Sequence, residues 1–362
     1  MTDPCGVAAV VSAFSVDGEF RRAERYGSGH IHDTYSVHFE GSGRDTRIIL
    51  QRINTAIFKN PVVVMENIER VTSHLRSQID GKLDADRSVL QLVRTREGAA
   101  WYVDAEDHYW RAYRFITDAQ AIDTVSSPQQ AFQAAKAFGQ FQRHLADLPG
   151  PRLHETIPGF HNTPNRFAAF EHAVKADAAG RASEARTEIE FAMSRSAIAR
   201  ALVNASLPER VTHNDTKLNN VMLDDSTGEG ICVIDLDTVM PGLAAYDFGD
   251  MVRTMTCAAA EDETDLSKVS MNFSLFEAVA RGYLEGAKDF LTAPERDSLI
   301  TGAKVVIFEQ GIRFLADFLS GDKYYKVSRP GQNLDRCRTQ FKLLESIEQQ
   351  EDAMALLIQS LS

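Results

Sequence analysis

Cysteine is scarce in this chain of 362 residues, which has four, at positions 5, 232, 257 and 337. No two of them have the close spacing of a zinc site, and four scattered thiols suggest no disulfide framework. The sequence also lacks a run of about eighteen apolar residues that could span a membrane. Its N-terminus lacks the basic-then-apolar pattern of a signal peptide. These absences predict a reduced, cytoplasmic protein that has no membrane partner.

An excess of positive charge is also missing. The chain has 39 Lys and Arg against 51 Asp and Glu, which gives a net charge of −12 at pH 7. A broadly acidic chain is a poor general ligand for nucleic acid. We therefore expect small-molecule partners and a monomer. The length is sufficient for two lobes, each with its own core.

The most informative segment is His213-Asn214-Asp215, which is followed by Asn220 and then by Asp235 at the end of an apolar run. This is the H-x-D-x-x-x-x-N spacing of the catalytic loop in kinase-like folds. Phosphoryl transfer needs a carboxylate that accepts the proton of the attacking hydroxyl, and oxygen ligands that hold Mg²⁺ against the nucleotide phosphates. We predict Asp215 as the base, and Asn220 and Asp235 as the metal ligands.

Two apolar runs lie between the predicted metal ligands, at residues 221–223 and 231–234, and a polar turn with two glycines separates them. This pattern predicts a β-hairpin, which would bring Asn220 and Asp235 together. An ordinary surface hairpin with Asx turns is the alternative. The three polar residues and the hairpin together favour the catalytic interpretation.

The sequence Asp-Phe-Gly at 247–249 spells the metal motif of protein kinases, but it follows a turn and not an apolar strand. We predict that Asp247 caps or braces a helix beginning near Asp250. Asp237 shares the strand parity of Asp235. A role with metal or charge and a structural role both stay open for Asp237.

The N-terminal part alternates apolar and polar residues as half-buried strands do. Gly27, Ser28 and Gly29 form a turn between two candidate strands. Glycine lets a backbone approach phosphates without a Cβ clash. We predict that this turn covers the nucleotide, although most such turns are simple hairpins.

A helix is predicted over residues 61–77. In kinases a strand cation pairs with a helix glutamate and holds the phosphates. Arg52 is the strand candidate here, with Gln51 beside it, and Glu66 and Glu69 are the helix candidates. Solvated charges are the alternative interpretation of both glutamates.

A strand over residues 109–116 is predicted to end at a hinge. There the backbone groups of Arg114, Phe115 and Ile116 would contact the adenine edge. From Ser127 the pattern becomes helical. The whole predicts an α+β, bilobal, protein-kinase-like fold with a β-rich N-terminal lobe and a mainly helical C-terminal lobe. The predicted division is residues 1–116 for the nucleotide-covering lobe, 117–127 for the linker, and 128–362 for the catalytic and substrate-binding lobe.

These motifs resemble the choline kinase and aminoglycoside phosphotransferase family, whose fold is a two-lobed relative of protein kinases. Within it, nearly the whole chain is similar to bacterial N-acetylhexosamine 1-kinases. The matching stretches are Gly27–Tyr35, QRINTAIF at 51–58, FHNTPNRF at 160–167, VTHNDTKLNN at 211–220, IDLDTVMPG at 234–242, YDFGD at 246–250 and RFLADFLSGDKYY at 313–325.

The resemblance implies ATP- and Mg²⁺-dependent phosphorylation of the anomeric hydroxyl of N-acetylglucosamine or N-acetylgalactosamine. It implies Asp215 as the base, and a sugar site lined by His30, Arg313 and Tyr324 beside Asp215. His32 stands where related loops often carry Asn, a departure that bears on sugar specificity.

Two other functions stay open. A kinase of choline, homoserine or an aminoglycoside binds a cationic acceptor, which would require acidic and aromatic residues in the C-terminal half. Residues 261–265 supply an acidic segment, although such charge runs are usually solvated loops. A non-catalytic nucleotide-binding homologue is disfavoured because Asp215, Asn220 and Asp235 are all present.

Arg313 lies in a predicted helix over residues 303–319, with Glu309 and Asp317 four residues away on either side. One interpretation is an exposed salt-bridge ladder, in which each pair contributes only about 0.3–0.5 kcal/mol. The other places the guanidinium in the cleft, with Tyr324 beyond the following turn.

Overall fold

The computed structural model describes residues 6–27, 31–41, 45–79, 84–203 and 205–361. The strands are β1 (Glu19–Arg25), β2 (Asp33–Glu40), β3 (Thr46–Arg52), β4 (Leu92–Val93), β5 (Tyr102–Val103), β6 (Tyr109–Arg114), β7 (Ala119–Gln120), β8 (Arg210–Thr212), β9 (Val221–Asp224), β10 (Gly230–Val233) and β11 (Met240–Gly242). The helices are α1 (Val7–Val11), α2 (Pro61–Ile79), α3 (Pro128–His144), α4 (Thr163–Ala176), α5 (Arg186–Ser194), α6 (Ala244–Met255), α7 (Phe273–Ala287), α8 (Ala293–Asp297), α9 (Leu299–Leu319) and α10 (Gln332–Ser360).

The N-terminal sheet is antiparallel, in the order β1-β2-β3-β6-β4, with β5 also paired to β6. Successive side chains of a strand point to opposite faces. Leu50 and Ala112 are buried with α1 on one face, and Tyr113 is buried with α2 on the other. Gln51 and Arg111, which face each other across β3 and β6, therefore lie on the α2 side.

The predicted helix is α2, and it begins at Pro61, whose fixed φ suits a first helical turn. It buries one apolar stripe, formed by Val64, Ile68, Val71 and Leu75. Its buried Asn67 donates to the carbonyl oxygens of Val239 at 3.0 Å and His154 at 2.8 Å. Helix α2 is thereby hydrogen-bonded to the C-terminal lobe.

The C-terminal lobe has a core of packed helices in which α6 and α9 approach closely. A Cβ on Gly302 of α9 would lie 2.1 Å from the carbonyl oxygen of Ala245 in α6. Only glycine permits this approach. The contact fixes α6, which supports the catalytic loop, against α9, which carries Arg313. No helix in the described part of the chain is long and apolar enough to cross a membrane.

The predicted hairpin is present as β9 and β10, with Val233 opposite Val221. β7, which follows the N-terminal sheet in the chain, pairs with β9, so the polypeptide enters the C-terminal lobe at this hairpin. Ser127 caps α3 by accepting from the N–H of Gln130. The division at residues 117–127 stays a prediction.

Candidate active site

The catalytic loop connects β8 to β9 and brings Asp215 against Asn220. The amide nitrogen of Asn220 donates to the backbone oxygen of Asp215 at 2.8 Å and to its Oδ2 at 3.0 Å. No described residue donates to the side-chain oxygen of Asn220. The amide therefore orients the predicted base with one end and presents an oxygen ligand with the other.

Lys217 also contacts the predicted base, with its Nζ 3.0 Å from Oδ2 of Asp215. Burial favours the neutral amine, but the carboxylates of Asp215 and Asp235 raise the pKa of Lys217. A positive charge is thus held beside the base. Lys217 was not predicted from the sequence. Its position two residues after Asp215 is the feature that could have indicated it.

Asp235 follows β10 directly and has a left-handed backbone with a φ of 60°. The N–H of Ile234 donates to the carbonyl oxygen of Asn220 at 2.9 Å, so the hairpin brings the two predicted metal ligands together. Burial and the nearby carboxylates of Asp237 and Asp215 raise the pKa of Asp235. Crowded carboxylates of this kind favour a bound cation, and carboxylate and amide oxygens suit Mg²⁺.

Asp247 is fully buried and braces the catalytic loop. Its carboxylate accepts from the N–H groups of His213 at 2.8 Å and Asn214 at 2.7 Å, and from Gln142 Nε2 at 2.6 Å. The predicted helix start near Asp250 is wrong, because α6 begins at Ala244 and places Asp247 inside its first turn. Asp247 therefore connects α6 to the catalytic loop and does not cap a helix.

Asp237 forms a buried ion pair with Arg111 of β6. The two guanidinium nitrogens Nη1 and Nη2 each lie 2.5 Å from a carboxylate oxygen, and Nε donates to Gln51 Oε1 at 2.9 Å. Arg111 is therefore the strand cation that reaches the catalytic segment. Sequence reasoning missed it because it considered β3 alone, whereas the register of β6 places Arg111 opposite Gln51.

The predicted pairing of Arg52 with a glutamate of α2 is wrong. Arg52 Nε donates to Asp33 Oδ2 at 2.9 Å, because the register of β2 and β3 sets these two residues opposite each other. Glu66 pairs with His154 at 3.0 Å, and Glu69 pairs with Arg94. A nucleotide-binding role for Arg52 stays a prediction.

The predicted nucleotide-covering turn is described only at its first residue. Gly27 has a φ of 80°, a conformation that favours glycine. Ser28, Gly29 and His30 lie outside the described residues. Their predicted roles at the nucleotide and the sugar stay predictions.

The predicted adenine contact by the backbone groups of Arg114, Phe115 and Ile116 stays a prediction, and the structure limits which N–H groups could take part. β6 ends at Arg114, whose N–H donates to the carbonyl oxygen of Gln91 at 2.9 Å. The N–H of Phe115 donates to Arg47 at 3.2 Å. These two N–H groups are bonded within the lobe, so neither can donate to adenine, whereas the N–H of Ile116 has no acceptor among the described residues.

The alternative interpretation of Arg313, an exposed salt-bridge ladder, is not what the structure shows. Glu309 is buried and accepts from Thr163 Oγ1 at 2.6 Å, with His161 Nδ1 at 3.1 Å. Asp317 accepts backbone N–H groups of the turn after α9. Arg313 Nη1 donates to Gln310 instead, at 3.1 Å.

Among the described residues, the aromatic ring under the Arg313 guanidinium belongs to Tyr325 and not to Tyr324. Tyr324 is 69% exposed, and its neighbour Tyr325 lies beneath the guanidinium, 5.7 Å from ring centroid to Cζ. The two tyrosine rings meet edge to face at 4.8 Å. Tyr325 is thus the aromatic residue that supports Arg313, and a sugar contact by Tyr324 stays a prediction.

Residues 22–286 match a family model described as the phosphotransferase enzyme family. The chain belongs to the phosphotransferase enzyme family. The match includes the catalytic loop, the hairpin, and both Asp235 and Asp247.

Solved structures share the fold of this phosphotransferase over nearly its whole length. An aminoglycoside phosphotransferase from Alicyclobacillus acidocaldarius has a TM-score of 0.60 at 14% identity, covering 100% of this chain and 96% of that one. A microcompartment-associated aminopropanol kinase has a TM-score of 0.59 at 16% identity, covering 97% and 98%. A choline kinase from Cryptosporidium parvum has a TM-score of 0.52 at 15% identity, covering 94% and 92%. The predicted α+β, protein-kinase-like fold is confirmed.

Proposed function

We propose that this phosphotransferase transfers a phosphoryl group from ATP, with Mg²⁺, to the anomeric hydroxyl of N-acetylglucosamine or N-acetylgalactosamine. The product is the N-acetylhexosamine 1-phosphate. The observation that carries the proposal is the convergence of Asn220 and Lys217 on the carboxylate of Asp215. A spectinomycin phosphotransferase of similar fold, described in complex with ADP and spectinomycin, supports the nucleotide.

Asp215 accepts the proton of the acceptor hydroxyl as its oxygen attacks the phosphorus. An anomeric hydroxyl is more acidic than other sugar hydroxyls, so a single carboxylate suffices as the base. Asn220 holds that carboxylate in place, and Lys217 supplies positive charge beside it. Transfer is direct and needs no covalent enzyme intermediate.

Asn220 and Asp235 would hold Mg²⁺, which when bound neutralises charge on the phosphates. The oxygen atoms of these two residues are suitable ligands for Mg²⁺. The side-chain oxygen of Asn220 and the carboxylate of Asp235 accept from no described residue, and both are ligands of the type that Mg²⁺ prefers.

The sugar assignment rests on the stretches similar to N-acetylhexosamine 1-kinases and on Arg313. A guanidinium has five donors; among the described residues this one donates to Gln310, and its charge helps to lower the pKa of the buried Glu309. Donors left for a ligand suit the hydroxyl and acetamido oxygens of an N-acetylhexosamine.

A cationic acceptor is the second candidate, because an aminopropanol kinase and a choline kinase share the fold. The acidic segment 261–265 gives it little support. Glu261 pairs with Arg253 and Arg336, and Asp262 pairs with Arg329. Much of the negative charge in this segment is thereby matched by arginines of the same lobe.

An acceptor screen tests the proposal. ADP release would be measured with N-acetylglucosamine, N-acetylgalactosamine, choline, homoserine and an aminoglycoside, each with and without Mg²⁺. We expect Mg²⁺-dependent turnover with the two sugars, and a phosphorus NMR signal of a glycosyl 1-phosphate. Turnover with an amine-bearing acceptor alone would overturn the sugar assignment, and nucleotide binding without turnover on any acceptor would favour a non-catalytic homologue.

A further inference from the structure

A chain of hydrogen bonds crosses the cleft from the N-terminal sheet to the segment that carries Asp235. Thr34 Oγ1 accepts from Gln51 Nε2 at 3.1 Å, and Gln51 Oε1 accepts from Arg111 Nε at 2.9 Å. Arg111 then holds both carboxylate oxygens of Asp237. Arg111 and Asp237 are 1% and 2% exposed, so the chain ends in a fully desolvated ion pair.

His32, which directly precedes β2, joins this chain. Its Nδ1 accepts the backbone N–H of Asn54 at 3.1 Å. Because an N–H group can only donate, the ring proton lies on Nε2. Nε2 is 3.3 Å from Oδ2 of Asp237, and the ring stacks on Phe58 with centroids 5.5 Å apart. His32 therefore has no lone pair left for a metal.

His32, Asp235 and Asp237 bring ligand atoms within 4.8 Å of one another, a spacing that would suit a metal ion. The other contacts remove His32 as a ligand and pair the charge of Asp237 with a guanidinium. His32 uses both ring nitrogens, and Asp237 gives both oxygens to a guanidinium. Only Asp235 keeps a carboxylate to which no described residue donates.

The backbone of Asp235 needs support from its surroundings. Its left-handed conformation is unfavourable for a non-glycine residue and persists only where neighbouring contacts determine it. Asp237 anchors the following turn to β6, and Thr238 Oγ1 donates to the carbonyl oxygen of His213 at 2.7 Å. The segment after Asp235 is thus held from both lobes.

We propose that Asp237 binds no metal and is a positioning residue for Asp235. His32 and Arg111 hold Asp237 from the N-terminal lobe. This inference rests on the proposed function, since it assigns to Asp235 the binding of Mg²⁺ with ATP. It gives His32 a role in the Mg²⁺ requirement that is separate from sugar recognition.

The first test compares two variants of His32. His32→Phe keeps the stack on Phe58 but removes the donor to Asp237, whereas His32→Gln keeps an amide donor. Mutation of a residue that hydrogen-bonds a metal ligand typically lowers metal affinity or activity about 10–100-fold. We expect His32→Phe to raise the Mg²⁺ concentration for half-maximal activity about tenfold with sugar KM unchanged, and His32→Gln to recover most of the loss. His38→Phe, on β2, which begins immediately after His32, and 27% exposed, is the matched control.

A second test separates positioning from stability. Replacing a buried ion pair by apolar residues is often neutral or stabilising, so the double variant Arg111→Met with Asp237→Leu is expected to keep its Tm. We expect it nevertheless to need at least about tenfold more Mg²⁺. A stable double variant with the wild-type Mg²⁺ requirement would overturn the inference.

Measuring ATP binding in the absence of an acceptor distinguishes a failure of the positioning role from a failure of the proposed function. A wild-type protein that binds ATP equally well with and without Mg²⁺ would contradict the proposed function. A wild-type protein with Mg²⁺-dependent binding, alongside a folded His32→Phe variant that binds identically, would contradict the positioning role alone.

Discussion

Lys217 Nζ and the amide nitrogen of Asn220 both lie 3.0 Å from the same oxygen of Asp215, Oδ2. Two donors on one carboxylate oxygen restrict the rotation of the side chain and fix the direction of the carboxylate. A base that is already oriented can meet the acceptor hydroxyl without first rearranging.

The first prediction concerns Asp215→Asn. An amide keeps the shape of the carboxylate but accepts no proton. We expect kcat to fall about 10²–10⁴-fold, with ATP binding and Tm close to those of the wild type. Asp225→Asn, at an exposed position in the hairpin turn, is the control. Near-normal turnover by Asp215→Asn would remove this residue from the role of base.

The second prediction contrasts two aspartates. Asp235→Ala should keep the fold and lose Mg²⁺-dependent activity, because its carboxylate is the predicted ligand. Asp247→Ala should lower Tm strongly, because it leaves buried donors without a partner, at about 1–3 kcal/mol for each. Thermal unfolding and Mg²⁺ titration of both variants measure this contrast. A stable Asp247→Ala that has lost Mg²⁺ affinity, beside an Asp235→Ala that keeps it, would reverse the assignment.

Local patterns predicted the hairpin and α2 correctly because each depends on short-range alternation or helical periodicity. The approach of Asn220 to Asp235 follows from that hairpin alone. Arg111 was not predictable in the same way. Its partner Asp237 is 126 residues away in sequence, and the contact depends on how the N-terminal sheet packs over the catalytic segment.

The same limit explains the error at Arg52 and the failure of the alternative salt-bridge ladder at Arg313. Both were interpreted from neighbours within one element or the next, whereas tertiary contacts decide the partners. Glu309 has the spacing for a ladder with Arg313, but it is buried and bound by His161 and Thr163. Buried carboxylates are usually satisfied by whichever donors the fold brings to them.

The third prediction is a pH dependence at Asp224, which ends β9. Arg87 Nη2 lies 2.7 Å from its Oδ2 and also donates to the carbonyl oxygen of Asp118, at the start of the predicted linker. The bond from Arg87, with N–H groups of the hairpin turn, lowers the pKa of Asp224 to about 2. A depressed carboxyl pKa stabilises the fold above the unfolded-state pKa, and that stability is lost as pH falls through the folded-state value.

We therefore expect the wild type to unfold at higher urea concentration than Asp224→Asn at about pH 6. The difference should shrink as pH falls below about 4. Urea midpoints of both proteins across this range give the measurement. A difference that stays constant, or grows toward acid pH, would show that Arg87 does not stabilise the ionised form of Asp224.

The last prediction concerns Arg313→Ala. If Arg313 only formed exposed salt bridges with Glu309 and Asp317, its replacement by alanine would be nearly harmless. The structure does not show those salt bridges. A hydrogen bond from a charged donor contributes about 1.5–3 kcal/mol, and a site that binds hydroxyls discriminates strongly through such donors. We expect sugar kcat/KM to fall about ten- to a hundredfold, with ATP KM little changed.

Steady-state kinetics with each substrate varied in turn will show which site the change affects. Arg281→Ala is the matched control, because Arg281 lies on α7, is 49% exposed and pairs only with Glu277 among the described residues. Removal of Arg313 also uncovers the ring of Tyr325, so a small loss of Tm is expected alongside the kinetic effect. If sugar kcat/KM stays at the wild-type value while Tm falls, Arg313 serves packing and does not bind the acceptor.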